Sequence, residues 1–500
     1  MYNGNKIKEK FKQLFGIDLR SLALFRICMA LIIIVDLIQR LRDLEPFYSD
    51  SGIFTRVLQM NNYFNMNHIS LHMISGSAYV QAFLFLIAIL FAFALLIGLN
   101  TKLASIVSWF LMLSLHIRNP ILSNGGDELL RQLLFWSMFL PLGAYCSIDS
   151  VLSPPQKKTS NSILSIATMA LLGQIALMYL ITVVFKHRTD EWHNGSAIYY
   201  ALSHDHYATP FGRFIFSQPK LMQILTYGSY WFEFIGTLLL FSPIFTTFIR
   251  TFMVIAFIFF QIGMGLSMEI ALFPWTASVG MIPFLPSQIW DNIILKLNFL
   301  YNLYKGLNKL VISNKRLFDL FFISKKPVSI NQSFSLNIIV TLLFAYVIAW
   351  NIWTLYPKYK IPDSIQWIGY MLRIDQKWAM YAPPTKTSFW FVLAGTLKDG
   401  TTIDLFKDGK SISWKNPKYA TKTYKDRHWR AFLLNLGWYP NSRPNFLPNL
   451  SWYLCRKWNE KHLNNKQLVK VETYLIYKEQ LPEYKISGPY KSLIWEYSCH

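Results

Sequence analysis

Of 500 residues, 53% are hydrophobic, 17% aromatic and only 15% charged, a balance too apolar for an ordinary soluble chain and suited to one that crosses a membrane repeatedly. The net charge of +22 does not point to nucleic acid, because the basic residues are scattered between apolar runs and no nucleic-acid motif accompanies them. Four cysteines are too few for a disulfide framework and show no metal-site spacing.

The N-terminal stretch KIKEKFKQLFGIDLR carries no small-residue cleavage site, so no cleavable leader is expected. Apolar runs follow at roughly 21–39, 78–98, 102–118, 129–146, 162–185, 226–247, 249–268, 270–289 and 335–355, giving nine candidate helices, most near spanning length. The seventh and eighth are separated only by Ser267-Met268-Glu269-Ile270, which makes either a candidate re-entrant segment. The expected fold is a polytopic α-helical membrane protein of about eight or nine spans over 1–355, followed by a small α+β domain over 356–500.

Lysine and arginine set the orientation. Lys6, Lys8, Lys10, Lys12 and Arg20 precede the first run, and Lys296, Lys305, Lys309, Lys315, Arg316, Lys325 and Lys326 fill the connection 290–333. Both segments are therefore expected in the cytoplasm, with eight spans between them. The ninth leaves 356–500 outside the inner membrane, with 23 Lys and Arg against 11 Asp and Glu; long exported domains cross largely regardless of charge. Connections 40–77, 118–128 and 186–225 fall on the same outer face.

Ionisable residues inside spans usually face protein or a wet cavity. Arg26 and Asp36 lie in the first run and Glu233 in the sixth. Ten residues separate Arg26 from Asp36, about 15 Å along a helix, so they are not direct partners. Asp36, Glu233 and Lys186 are expected to share an outward-facing cavity; the alternative is that each forms a helix-packing ion pair. Arg118-Asn119-Pro120 and Asn124-Gly125-Gly126-Asp127 join the third and fourth runs. Their residues suit either close backbone approach to a ligand or a tight turn capped by Asp127. Lys186 ends the fifth run. At an apolar boundary such an amine either becomes a neutral base or snorkels to the headgroups. His193, His204 and His206 lack the further spacing a zinc site needs, and no metal is expected.

In the tail, Ser388–Gly395 and Thr401–Phe406 read as strands joined through Lys398-Asp399-Gly400. Helices are expected near 420–435 and 450–462, and Val469–Tyr477 as a closing strand. Cys455 and Cys499, in an oxidising space, are free to pair or to remain thiols.

Taken together, these residues resemble the HTTM (horizontally transferred transmembrane) domain family, whose best-known members are the vitamin K-dependent gamma-carboxylases. The resemblance is carried by Leu24-Phe25-Arg26-Ile27 with Asp36 and Tyr48-Ser49-Asp50-Ser51-Gly52, and by Arg118-Asn119-Pro120 with Asn124-Gly125-Gly126-Asp127. It continues through Tyr179 to Lys186 with Trp192 and Gly195, and Asp375-Gln376 with Trp378 and Met380-Tyr381-Ala382-Pro383. In the carboxylases a lysine deprotonates reduced vitamin K, the quinol reacts with oxygen, and the strong base so formed prepares glutamate for carboxylation by carbon dioxide. The resemblance assigns that base to Lys186. It gives Arg118, Asn119, Asn124, Asp127, Glu233 and Gln376 to the polar pocket, and Trp192, Trp378 and Tyr381 to its walls. A vitamin K-like reduced quinone is the implied cofactor, with oxygen and carbon dioxide as co-substrates and membrane lipid as surroundings. Where carboxylases have Asn-Asn-His this chain has Asn124-Gly125-Gly126, and Gln261 stands where bacterial members commonly have histidine. Quinone-directed oxygenation or epoxidation is thus the implied chemistry rather than carboxylation. The non-enzymatic alternative is a maturation factor that binds an exported peptide or protein through the tail. No internal repeat or broken helix pair marks a transporter.

Overall fold

Asp18 opens the first long helix, its carboxylate accepting from the backbone N–H of Arg20 at 2.8 Å, so that the chain turns from β1 (Ile17–Asp18) directly into α1 (Leu19–Arg42). The computed structural model describes residues 2–63, 66–152, 161–293, 334–416, 424–438, 445–482 and 485–499. The basic connection from Lys296 to Lys326 lies outside them, as does the start of the helix expected near 420.

After α1 come α2 (Ala78–Ile97), α3 (Thr101–Arg118) and α4 (Gly125–Ser137). The short strand β2 (Ser162–Ile163) pairs antiparallel with β1 and leads into α5 (Ile166–Lys186). Next are α6 (Pro219–Leu239), α7 (Thr246–Ser267), α8 (Phe273–Met281) and α9 (Phe334–Leu355). Among the described residues, α1, α2, α5, α7 and α9 are long and apolar enough to cross a membrane. The other runs come out shorter or more polar. α4 stops at Ser137 rather than near 146, ahead of Pro141, whose ring and missing N–H oppose a helix interior. The run 270–289 is broken into the nine residues of α8, a 3-10 turn at Ile282–Phe284 containing Pro283, and the start of a further helical segment at 287. At 1.5 Å per residue, α8 covers roughly half of a hydrocarbon core.

Helix ends gather at two opposite ends of the body. At one, Arg20 pairs with Asp291 at 2.6 Å, Arg250 donates to the carbonyls of Gln13 and Leu14, and Asp149 accepts from the backbone of Asn100 and Thr101. At the other, the connections 40–77, 118–124 and 186–218 meet the tail.

In the tail, β3 (Thr387–Leu397) and β4 (Thr402–Asp404) form the expected hairpin, turned by Gly400 at φ +84°. α10 (Arg427–Trp438) and α11 (Phe446–Asn459) follow, then β5 (Leu468–Gln480) and β6 (Ile486–Ser498). The sheet is antiparallel in the order β4-β3-β5-β6. The last strand is additional to the sequence reading; most of its side chains are exposed, so no apolar alternation announces it. Cys455 on α11 and Cys499 after β6 are disulfide-bonded. Phe47, Trp429, Phe432 and Phe446 pack together between tail and helices. Burying each such side chain is worth roughly 1.5–3 kcal/mol. Asn435 Nδ2 to the Ile121 carbonyl (2.9 Å) and Asn449 Nδ2 to the Ile53 carbonyl (3.1 Å) fasten the same contact.

Candidate active site

Lys186 is the last residue of α5, where a cation complements the helix dipole. It does not snorkel. Its side chain is buried, with Nζ 2.6 Å from Glu233 Oε2 on α6 and 4.1 Å from the centre of the Trp192 ring. Lys186 instead forms a buried amine–carboxyl pair on an aromatic face. Trp192 is fixed in turn, its Nε1 donating to the Tyr381 carbonyl at 2.8 Å. Gly195, at φ +78°, follows, and a Cβ there would lie 2.7 Å from Gln223 Cγ, so glycine lets this turn close onto α6.

Lys186 and Glu233 line a cavity of about 370 Å3. Its polar wall includes Arg40, Asn124, Gln261, Glu269, Arg427, His428 and Arg430, and its apolar wall Tyr179, Met264, Phe273, Met380, Tyr381 and Trp438. Gln261 Nε2 donates to the Tyr179 hydroxyl at 2.7 Å, while Gln261 Oε1 is buried with no partner among the described residues. Arg430 Nη1 pairs with Glu269 Oε2 at 2.6 Å.

Asp36 does not join Lys186 and Glu233 at the cavity surface. It sits behind the wall, fully buried, where Arg40 Nε donates to Oδ2 at 2.7 Å and Arg427 Nη2 donates to Oδ1. A carboxylate this enclosed needs such partners, and it is these guanidinium groups that reach the cavity. Arg40 Nη2 also meets Asp127 Oδ1 at 2.7 Å. The other oxygen of Asp127 accepts from the Asn124 N–H at 2.8 Å in a capping box at the start of α4. The glycine pair serves packing as well: a Cβ on Gly126 would fall 2.7 Å from the Phe273 nitrogen of α8.

Of the residues singled out from the sequence, Lys186, Glu233, Asn124 and Tyr381 line the cavity, and Trp192 and Asp127 stand one layer behind it. Arg118 lies outside, donating to the Tyr48 and Phe54 carbonyls, and Asn119 donates to that of Phe47. Gln376 accepts from Gln174 Nε2 at 2.7 Å and from Trp378 Nε1, tying the approach to the tail onto α5. This anchoring carries Met380 and Tyr381 into the wall. Arg427, His428 and Arg430 were not foreseen. Their signal is the spacing of Arg427, Arg430, Ala431, Leu434 and Trp438 on one face of α10.

His193, His204 and His206 do not converge. They bond separately to the His187 carbonyl, to Thr385 and to the Tyr424 hydroxyl. The grouped donors Asp36, His116 and Asp127 have both carboxylates engaged by arginine, which opposes a dication.

Beside the cavity runs an apolar groove of about 620 Å3 between α6, α7 and the short helices Ala197–Ser203 and Pro210–Phe216. Ile198, Phe211, Phe214, Ile224, Phe232 and Phe260 line it, and Met264 faces both spaces.

Helices of spanning length beside a cavity that holds a buried amine–carboxyl pair define an integral membrane protein. The HTTM domain model matches residues 16–290, and the chain belongs to that family. No curated protein and no solved structure matches it.

Proposed function

We propose that this protein is an inner-membrane enzyme that deprotonates a lipid-borne hydroquinone for oxygenation or epoxidation. In this reading the N-terminus is cytoplasmic, eight or nine helical segments cross the bilayer, and the tail and cavity are extracytoplasmic. The observation that carries it is the enclosed Lys186–Glu233 pair in a cavity that adjoins an apolar groove through Met264. The cavity suits a hydroquinone ring: aromatic and methionine side chains offer flat contact, and the unpartnered Gln261 Oε1 is an acceptor for a hydroxyl. The groove suits an apolar tail.

The chain's own residues then act in sequence. A proton passes from Lys186 Nζ to Glu233 Oε2, leaving an amine that takes the proton of a substrate hydroxyl. Trp192 holds Nζ in place, and the guanidinium groups of Arg40, Arg427 and Arg430 favour the negative charge that develops. Burial of Lys186 and Glu233 limits the water that competes at the pair. The reduced quinone itself supplies the reaction with oxygen.

The test is purification in mild detergent, lipid extraction and mass spectrometry, with Lys186→Met alongside. Conversion of a co-purifying quinone to its epoxide by wild type and not by the variant supports the reading. Absence of quinone and of turnover defeats it. One observation favours a second reading, a maturation factor: β6 is a thirteen-residue edge strand of the tail sheet, and such an edge offers backbone groups for strand addition by an exported peptide. Capture of an exported protein by residues 356–500 of the full chain, abolished by a second proline in β6 beyond Pro489, is its outcome.

A further inference from the structure

Lys186 and Glu233 are themselves buried, so a proton taken from a substrate at Lys186 leaves by way of the cavity they line. The same cavity holds a second group able to accept it. His428, on α10, lines the cavity and has its Nε2 buried without a partner among the described residues. Its other ring nitrogen, Nδ1, lies 3.1 Å from Asp43 Oδ2 and 3.9 Å from Asp426 Oδ1. Side-chain exposure rises along this series, 3% at His428, 8% at Asp43 and 32% at Asp426. The imidazole therefore stands between the cavity and a carboxyl pair that reaches water.

We propose that His428, Asp43 and Asp426 form a proton relay that connects the cavity to solvent on the tail side. The inference rests on the cavity being an acid–base site, the reading given above. One proton arrives at His428 Nε2 and the Nδ1 proton leaves to Asp43; the Asp43 proton passes to Asp426 and on to water. One proton enters and one leaves, and no group keeps a net charge. The surroundings suit this exchange. Burial, with Arg40 of α1 and Arg427 of α10 close by, holds the imidazole well below its ordinary range and hence neutral, against the opposing pull of Asp36. Burial and the neighbouring Asp426 carboxyl raise Asp43 to about 8, partly offset by Lys425, so this carboxyl pair keeps a proton at neutral pH. A bare structural role for Asp426 explains its bonds to the His428 and Trp429 N–H groups at the start of α10, and leaves the orphan Nε2 without a purpose.

Two measurements on the full-length protein in detergent test the relay. In the first, turnover of reduced 2-methyl-1,4-naphthoquinone is followed in wild type, His428→Gln and Asp43→Asn. The expected result is a loss of roughly tenfold or more in kcat with KM unchanged, and recovery of His428→Gln by added imidazole. In the second, the infrared band of a protonated carboxyl is followed in D2O. It should vanish as pH is raised through about 8, be missing from Asp43→Asn, and exchange more slowly in Asp426→Asn. Wild-type turnover by His428→Gln, or an unchanged band in Asp43→Asn, overturns the relay. So does a stoichiometric divalent metal that is lost in Asp43→Asn, because these three side chains are also metal donors. Wild-type protein inert to the naphthoquinol counts against the quinol reading alone, and the infrared result then decides the relay.

Discussion

At the scale of single residues, the pair Lys186–Glu233 invites a double-mutant cycle. Removing one partner strands the other charge out of water, so Lys186→Met and Glu233→Leu should each destabilise the protein by about 3–5 kcal/mol. The double variant should recover most of that stability, because two apolar side chains replace a buried ion pair. Turnover should not recover: a lost general base costs about 10²–10⁴-fold, whatever the stability. Denaturant titration and epoxide formation on the same four proteins check both statements. His206 gives a pH-dependent counterpart. Buried between Phe389 and Tyr424, it is held down to about 3, first by burial and then by its neighbour His204. The unfolded chain therefore binds a proton that the folded chain refuses. Full stability is present above about pH 6.5 and is lost as pH falls toward 3, by about 1.4 kcal/mol per unit from this group. His206→Gln should flatten the acid limb of a melting-temperature profile.

At the scale of elements, the disulfide closes a loop between α11 and the end of β6 across a sequence separation of 44. Loops of this length gain about 2–4 kcal/mol from the cross-link. Cys455→Ser should lower the melting temperature of the tail, and reductant should do the same to wild type only. Elements also mark the limit of sequence reading. Long apolar stretches such as α1, α5 and α9 were legible, because a bilayer demands length and apolarity and little else. α4 and α8 were over-extended, since a hydropathy run does not register that Pro141 and Pro283 end a helix within it. The Lys398-Asp399-Gly400 turn announced its hairpin through local chemistry, whereas β6, solvated on most of its length, left no pattern to read. The candidate site divides the same way. Lys186 and Glu233 were visible as ionisable residues at apolar boundaries. Asp36 was visible too, but nothing nearby in the chain tells that Arg427, 391 residues later, would claim its carboxylate. Long-range partners are set by packing, and one sequence does not display them.

At the scale of the whole molecule, the two ends of the helical body give a topology that labelling can check. With Cys28 and Cys146 replaced, Lys398→Cys in the tail hairpin should react with a membrane-impermeant thiol reagent in intact cells. Lys10→Cys should react only after the membrane is opened. The reverse pattern would invert the arrangement and move the cavity to the cytoplasmic side, and reaction of both would put the N-terminus on the same side as the tail. The same experiment bears on Cys455 and Cys499, whose bond is stable only where thiols are kept oxidised.

Under the proposed function, the wall that α10 gives to the cavity also governs when activity begins. Arg427, His428 and Arg430 are made only after every described long helix has left the ribosome. Until the last third of the chain has docked, Asp36 has one guanidinium partner instead of two, and the space beside Lys186 stands open along that side. A nascent or truncated chain would hold the reactive amine without its enclosure. On that reading biogenesis acts as a safety catch: the membrane-embedded part is inserted inert, and chemistry is armed only by the final folding event.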